Sequence, residues 1–238
     1  MSDIHEIDLS ISDHRPRVAA ERRERMRQRL IESALLVFSE KGVESSMIHD
    51  VVLTANVSQG TFYNYFRSCD ELLIATGEQL KNELLILIEQ EVRTIADPAE
   101  RLATGLRLFL HTTQAFPLLA RFAHQTGLHI VGPNSLMFEF LPPHIEQGIS
   151  MGRFAKIPVP AMLDLLSGTT LAAIFRIIAT PDLPNYPEEI VSLILRGMGV
   201  TEEEAMRLVA QPLQPIQPPE DMLLIRSQTR WDSMEHTD

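Results

Sequence analysis

Apolar residues recur at helical spacing in two short stretches that are separated by a tight turn. The apolar face of the first stretch consists of Ile48, Val51, Val52 and Ala55, which are three and four residues apart, as in a helix. Ser46 can cap this helix. Asn56 interrupts it, because asparagine tolerates a left-handed backbone, and Ser58 can cap a second helix that begins at Gln59. Two short helices joined by a turn of about three residues form a helix-turn-helix unit, which places its second helix in the major groove of DNA.

The second helix carries polar residues on the faces that its two phenylalanines leave open. Phe62 and Phe66 are four residues apart and face inward. Glutamine and asparagine can pair bidentately with adenine, and hydroxyl groups and helix N-termini bind phosphate. We therefore expect the following residues at the DNA: Ser46, Ser58, Gln59, Gly60, Thr61, Tyr63, Asn64 and Tyr65. A small amphipathic helix with an aromatic core is the alternative explanation for any one of them alone.

Positive charge is concentrated just before this unit, although the whole chain is acidic. The net charge is −11, yet seven arginines lie between residues 15 and 29. Such a segment can lie along phosphates or enter a minor groove, and we expect Arg22 and Arg23 to contact DNA. The alternative is a solvated helix start in which Glu21 and Glu24 pair with the arginines.

The order of these segments resembles the TetR family of bacterial transcriptional regulators. Residues 57–66 resemble the recognition segment of that family. Residues 38–42 resemble the end of its first helix, and residues 68–73 the opening of its fourth. Asn56 stands where the family usually has glycine, Val52 where it has alanine, and Cys69 where many members carry a lysine that touches phosphate.

The resemblance implies an all-α fold. A three-helix helix-turn-helix DNA-binding domain is joined by a long helix to a C-terminal helical domain for ligand binding and dimerisation. It implies a repressor that binds a palindromic operator as a homodimer and is released by a small hydrophobic ligand. Cys69 and the acidic body motivate an alternative, a helical interaction or ligand-sensing protein of the same fold with weak or lost DNA binding.

Prolines, glycines and capping residues divide the chain into four predicted segments. Residues 1–19 are a disordered arm, 20–84 the DNA-binding domain, 85–210 the C-terminal domain, and 211–238 an extended or disordered proline-rich tail. Capping residues and prolines also predict the helices outside the helix-turn-helix unit. These helices cover residues 20–41, 68–94, 98–116, 135–151, 158–180, 187–198 and 201–210, and a shorter helix begins at residue 117. The helix over residues 135–151 is expected to break at Pro142-Pro143.

The C-terminal domain is rich in large apolar residues among helices that prolines break repeatedly. Such packing leaves concave space, and an apolar cavity with few polar anchors favours a hydrophobic ligand. The expected ligand-binding residues are Phe109, Phe116, Arg121, Phe122, Gln125, His129, Met137, Phe138 and Phe175. The resemblance places dimerisation on the last two long helices, at Gly168, Ala172, Ile190 and Ile194. Ordinary intrachain core is the alternative for these four.

The sequence contains no motif for catalysis, and we predict no enzyme activity, metal or cofactor. Glycine-rich phosphate loops, zinc-type clusters and nucleophile elbows are missing. His124 and His129 are five residues apart, which fits one helical face poorly. The single cysteine, Cys69, fits a reducing cytoplasm, and a redox role for it is a minor alternative. No signal peptide or membrane-spanning stretch is evident, so we expect a cytoplasmic location.

Overall fold

A computed structural model describes residues 14–43, 48–127, 136–180 and 183–235. These residues form eleven α-helices and no β-strand, which confirms the all-α fold. The helices are α1 (His14–Lys41), α2 (Ile48–Thr54), α3 (Gln59–Tyr63), α4 (Cys69–Val92), α5 (Pro98–Ala115), α6 (Pro117–Thr126), α7 (Met137–Ser150), α8 (Val159–Ala179), α9 (Tyr186–Gly197), α10 (Glu202–Val209) and α11 (Leu223–Glu235).

The turn between α2 and α3 has the backbone geometry that the sequence predicts. Asn56 adopts a left-handed φ of 50°, and the adjacent Ala55 is fully buried. The Val57 N–H donates to the Val52 carbonyl at 3.0 Å, which ties the turn back to α2. Gly42 ends α1 with a φ of 77°, a conformation that glycine adopts without the steric penalty of a side chain.

Ser68 caps α4 and Thr201 caps α10, and the glutamate three residues after each of them binds elsewhere. Ser68 accepts a hydrogen bond from the Glu71 N–H at 3.1 Å, while the Glu71 carboxylate accepts from the Arg67 N–H at 2.6 Å. Thr201 caps α10 in the same way. The Glu204 carboxylate is instead bound by two arginines, Arg153 and Arg207. Each cap therefore satisfies the start of its helix without the reciprocal bond of a capping box.

Two hydrophobic clusters hold the helices together. The first joins α1–α4 with α6 and α11, and the second joins most of α5 with α7–α10. The clusters do not follow the predicted boundary between residues 84 and 85, because Ile88 of α4 and Phe122 of α6 belong to the first cluster. The head, defined here as α1–α3, therefore shares its core with part of the C-terminal region.

The structure corrects two predictions of disorder. Helix α1 begins at His14, so residues 14–19 of the predicted arm are helical; the rest of the arm lies outside the described residues. The predicted tail contains α11, because Leu223, Leu224 and Trp231 form an apolar stripe that is buried in the first cluster. Four prolines just before α11 obscure this stripe in the sequence.

Helix α7 continues through Pro142-Pro143, where the sequence predicts a break. Two prolines inside a helix remove two backbone hydrogen bonds. The helix is nevertheless held by an apolar stripe at Leu141, Ile145 and Ile149 that packs on the second cluster. Tertiary packing therefore outweighs the local preference of the two prolines.

Helix α8 meets the length and composition of a membrane-spanning helix, although the sequence predicts no such stretch. It includes Asp164 and Arg176, and its inner face packs on the second cluster through Met162, Leu166 and Ala173. Its outer face is exposed and largely apolar.

Candidate DNA interface and ligand cavity

Two buried rings fix the orientation of α3. Phe62 is fully buried and Phe66 is 3% exposed, and their ring centroids lie 6.1 Å apart. Gln59, Gly60 and Tyr63 are exposed on the opposite side. The short helix therefore presents a polar, glycine-containing face to solvent, as the sequence predicts.

The hydroxyl groups at the start of α3 are used within the helix cap. Ser58 accepts from the Thr61 N–H at 3.1 Å, and the two hydroxyl oxygens lie 2.9 Å apart. Asn64 follows the helix as its C-cap and is exposed. The cap does not use the side-chain amide groups of Gln59 and Asn64, so these are better placed than the two hydroxyls to bind another molecule. Ser46 lies outside the described residues.

The first part of α1 lies beside the end of α3. Arg22, Arg23, Asn64 and Tyr65 line one shallow depression of the surface, together with apolar residues of α1. The Arg23 guanidinium lies 6.0 Å from the centroid of the Tyr65 ring, within range of a cation–π contact. The fold thus brings two predicted arginines next to two predicted residues of the recognition segment.

A cavity of about 220 Å³ lies between α4, α5, α6, α7 and α8. Its walls are mostly aliphatic and aromatic. Of the predicted ligand-binding residues, Phe109, Phe122 and Met137 line it. Lining positions on α4 run from Gly77 to Val92, so the cavity extends along several turns of that helix.

Four predicted ligand-binding residues do not line this cavity. Phe116 packs against the first hydrophobic cluster. Arg121 is exposed, with its guanidinium 5.6 Å from the Trp231 ring centroid. Gln125 lies beside Gly42, and Phe175 is exposed with its ring 4.6 Å from that of His124. His129 lies outside the described residues, and the side chain of Phe138 is not among those described.

The polar groups of the cavity come from residues that the sequence analysis missed. Glu89 on α4 contacts Arg101 on α5, and its second oxygen lies 3.6 Å from His144 Nε2 on α7. Burial, together with the positive charge of Arg101, lowers the pKa of His144 below its ordinary value, so His144 is neutral near pH 7. Burial also lowers the pKa of Lys81, which lies elsewhere on the cavity wall.

The four predicted dimerisation residues differ in their exposure to solvent. Gly168 and Ala172 are exposed on the outer face of α8, next to Leu165 and Phe175. Ile190 is half-buried on α9. Ile194 is fully buried in the second cluster, so its assignment to a subunit interface is corrected to intrachain core.

Cys69 is the first residue of α4 and its thiol is half-buried. Burial raises the pKa of the thiol, and the negative charges of Asp70 and Asp50 raise it further. The thiolate that redox chemistry requires is therefore disfavoured at this position. Within the described parts of the chain, no group of three or more His, Cys, Asp or Glu side chains could hold a metal ion.

The geometry of α1–α3 is that of a helix-turn-helix protein, and known proteins with similar sequences are regulators of this kind. Residues 30–76 match the model of the bacterial regulatory proteins of the tetR family. The uncharacterized HTH-type transcriptional regulator YvdT of Bacillus subtilis (strain 168) is 40% identical over 58 residues, which are 24% of this chain and 30% of YvdT. The regulator BetI of Rhizobium meliloti (strain 1021) is 30% identical over 91 residues, 38% of this chain and 45% of BetI.

Both matches span less than half of the relative's own length. The crystal structure of RolR in complex with its ligand resorcinol extends the similarity over both regions. It is 29% identical, has a TM-score of 0.68, and covers 83% of this chain and 100% of the RolR chain. Residues 30–76 of this chain therefore match the bacterial regulatory proteins of the tetR family, and the fold over both regions is similar to that of RolR.

Proposed function

We propose that this chain is a cytoplasmic transcriptional repressor that binds a palindromic operator as a homodimer and is released by a small hydrophobic ligand. The exposed polar face of α3, fixed in orientation by buried Phe62 and Phe66, is the observation that carries the proposal. A helix anchored on one face by aromatic rings can present its other face to base edges without losing order. Arg22 and Arg23 beside this face supply positive charge for the phosphates.

The outer face of α8 supports the homodimer. Leu165 and Phe175 are exposed large apolar residues there, and Gly168 and Ala172 lie between them. Small residues between larger apolar ones let a second helix approach closely and bury that area. Two heads related by a two-fold axis would read half-sites about 34–36 Å apart.

The cavity supports a small, mainly apolar ligand. Its volume of about 220 Å³ and its walls of leucine, isoleucine and phenylalanine suit one small ring or a short chain. The similar protein RolR is known in complex with resorcinol. Ligand binding would favour one of two arrangements of the heads and so change operator affinity.

The test is binding of the full-length protein to its own upstream DNA and to scrambled duplex, measured across a salt series. Asn64→Ala should weaken binding to the upstream site by roughly 1–3 kcal/mol and reduce discrimination against scrambled DNA. Arg23→Ala should weaken both duplexes equally and make the salt slope shallower by about one unit. Gln90→Ala, at an exposed amide on α4, is the matched control and should change neither.

A second candidate is a ligand-sensing protein of the same fold that no longer binds DNA strongly. Cys69 stands where many TetR-like proteins have lysine, and the net charge is −11. Equal, weak binding of the wild type to both duplexes at low salt would favour this candidate. Preference for the upstream duplex would exclude it.

A further inference from the structure

One threonine in the cavity wall lacks the hydrogen bond that the other buried helical threonines make. Thr76, Thr112, Thr113 and Thr126 each donate a hydroxyl hydrogen bond to the carbonyl four residues earlier, at 2.7–2.9 Å. Thr170 of α8 lines the cavity and is 9% exposed, and its hydroxyl oxygen is buried without a partner. A buried hydroxyl without a partner destabilises the fold unless something else satisfies it.

The Arg101 side chain leaves a second polar atom unpaired in the same cavity wall. Its Nη2 contacts Glu89, but its buried Nε has no hydrogen-bond partner. The charge at this end of the cavity is balanced, because the Arg101 cation faces the Glu89 anion and His144 is held neutral. An anionic ligand brought here would compete with Glu89 for Arg101 and be repelled by it.

We propose that the ligand is an uncharged, mainly apolar compound that carries a hydroxyl or carbonyl group, recognised by the Thr170 hydroxyl. A ligand hydroxyl can donate to the Thr170 oxygen, and a ligand carbonyl can accept from the Thr170 O–H. Rotation about χ1 of Thr170 moves its hydroxyl between staggered positions and can turn it toward the cavity. This inference rests on the proposed ligand-binding function of the cavity and specifies its ligand class.

The test uses three probes of matched shape with the full-length protein: 4-butylphenol, 4-butylbenzoate and butylbenzene. Calorimetric titration should show that the phenol binds more tightly than either the carboxylate or the hydrocarbon. Thr170→Val should weaken the phenol by about tenfold and leave butylbenzene unchanged. Thr170→Ser, which keeps the hydroxyl, should retain most of the phenol affinity. Because the hydroxyl is unpaired without ligand, Thr170→Val should not lower the thermal midpoint of the free protein.

The outcomes separate this inference from the function on which it rests. If butylbenzene and the phenol bind equally well, or the carboxylate binds best, the inference of polar recognition is wrong while the apolar cavity stands. An equal loss of both neutral probes in Thr170→Val would show that Thr170 acts only through packing, which also overturns the inference. If no probe binds, the proposed ligand cavity itself is overturned.

A separate set of contacts, from α11, gives a second inference about the head. The Arg230 guanidinium donates to the carbonyl of Thr54, the last residue of α2, at 2.7 Å. It also lies 3.7 Å from Glu32 of α1. A cation at a helix C-terminus stabilises the unpaired carbonyls there. The residue therefore caps α2 just before the turn that leads into α3.

The same helix is bound to the wall of the ligand cavity. The Gln228 side-chain oxygen accepts from the Leu118 N–H of α6 at 3.1 Å. The next residue of α6, Leu119, lines the cavity. At the start of α11, the Leu223 N–H donates to Glu83 of α4 at 2.8 Å. One short helix thus holds the end of α2 on one side and α6 on the other.

We infer that α11 couples α6 to the turn between α2 and α3, so that a displacement of α6 also moves this turn. Hydrogen–deuterium exchange of the full-length protein tests this at residues 54–57. Arg230→Ala should speed exchange there severalfold because it removes the cap. Gln228→Ala should also speed it, although Gln228 bonds to α6 and not to the head. Arg226→Ala is the matched control, since Arg226 pairs with Glu32 but not with Thr54.

Faster exchange in both Arg230→Ala and Gln228→Ala, with Arg226→Ala near wild type, supports coupling of α6 to the turn through α11. An effect confined to Arg230→Ala would reduce α11 to a local cap and overturn transmission from α6. Equal effects of all three variants would show general destabilisation of α11 and would also overturn the inference.

Discussion

The head and the ligand cavity are packed in opposite ways. Several large side chains on and around α3 are fully buried, with Phe38, Phe62 and Leu72 among the least exposed residues described. The cavity, by contrast, encloses about 220 Å³ of empty space between five helices. Close packing makes a structure rigid, whereas a void can be filled by a ligand. The comparison indicates that the head presents a surface of fixed shape to DNA, whereas the cavity can change shape to fit a ligand.

The largest predicted effect concerns the core of the head. Phe62→Ala removes a fully buried ring and should lower the free energy of unfolding by about 3–5 kcal/mol. Tyr63→Ala, the next residue, removes a side chain that is 52% exposed and should change it by less than about 0.5 kcal/mol. Urea unfolding of both variants measures the difference. Similar losses for both would contradict the packing that we describe for α3.

A smaller effect of opposite sign is expected at a glycine of the cavity. A Cβ on Gly105 would meet its nearest neighbour, Ile88 Cγ2, at an ordinary contact distance of 3.4 Å. Gly105→Ala should therefore stabilise α5 by about 0.5–1 kcal/mol through the better helix propensity of alanine. Thermal unfolding is the measurement.

Gly148→Ala is the matched control in α7. Its Cβ would lie 2.1 Å from a ring carbon of the buried Phe154, so the ring must move at a cost of about 1–3 kcal/mol. If Gly105→Ala destabilised the protein as much as Gly148→Ala, the wall of the cavity would be as tightly packed as the rest of the core. That result would contradict the difference in packing that we describe between the head and the cavity.

The smallest predicted effect is on the acid stability of the second cluster. Arg153 binds Asp97 at 2.7 Å and Glu204 at 2.7 Å. Hydrogen bonds from Arg207 and Arg153 lower the pKa of Glu204 to about 2. Burial alone would raise the pKa of Asp97, but the bonds from Arg153 and from the Ala99 N–H lower it.

Groups whose pKa is lower in the folded state stabilise it above the unfolded pKa and lose this contribution as the pH falls. The contribution of Glu204 should therefore be constant above its ordinary value of 4.5 and decline toward pH 2. Arg153→Gln should flatten this dependence. Hydrogen exchange of α10 as a function of pH is the measurement, and identical profiles for variant and wild type would contradict a stabilising role of the arginine.

The sequence predicts the head more completely than the cavity because the head is determined over a short range. Phe62 and Phe66 define the inner face of α3 by their own spacing, and Asn56 determines the turn. The cavity combines side chains from five helices. Which face of each helix points inward depends on packing between distant segments, and no local pattern in the sequence contains that information.

Helix α6 shows this limit directly. Arg121 and Gln125 are four residues apart and share the outer face, while Leu119, Phe122 and Ala123 face the cavity. The polarity of Arg121 predicts a ligand anchor only if the rotation of the helix is known. Thr170 is unremarkable in an apolar sequence, and its role emerges only from its missing hydrogen bond. By contrast, the apolar stripe from Leu223 to Trp231 is a local pattern that predicts α11 in spite of the preceding prolines.

The most direct test of the proposed function measures operator affinity and its response to ligand in one experiment. The full-length protein is titrated onto labelled upstream DNA and onto scrambled duplex by fluorescence anisotropy, with and without 4-butylphenol at a saturating concentration. We expect at least about 10³-fold tighter binding to the upstream site than to the scrambled duplex, and a loss of that affinity when the phenol is bound. Equal affinity for the two duplexes, or phenol binding that leaves upstream affinity unchanged, would contradict the proposed function.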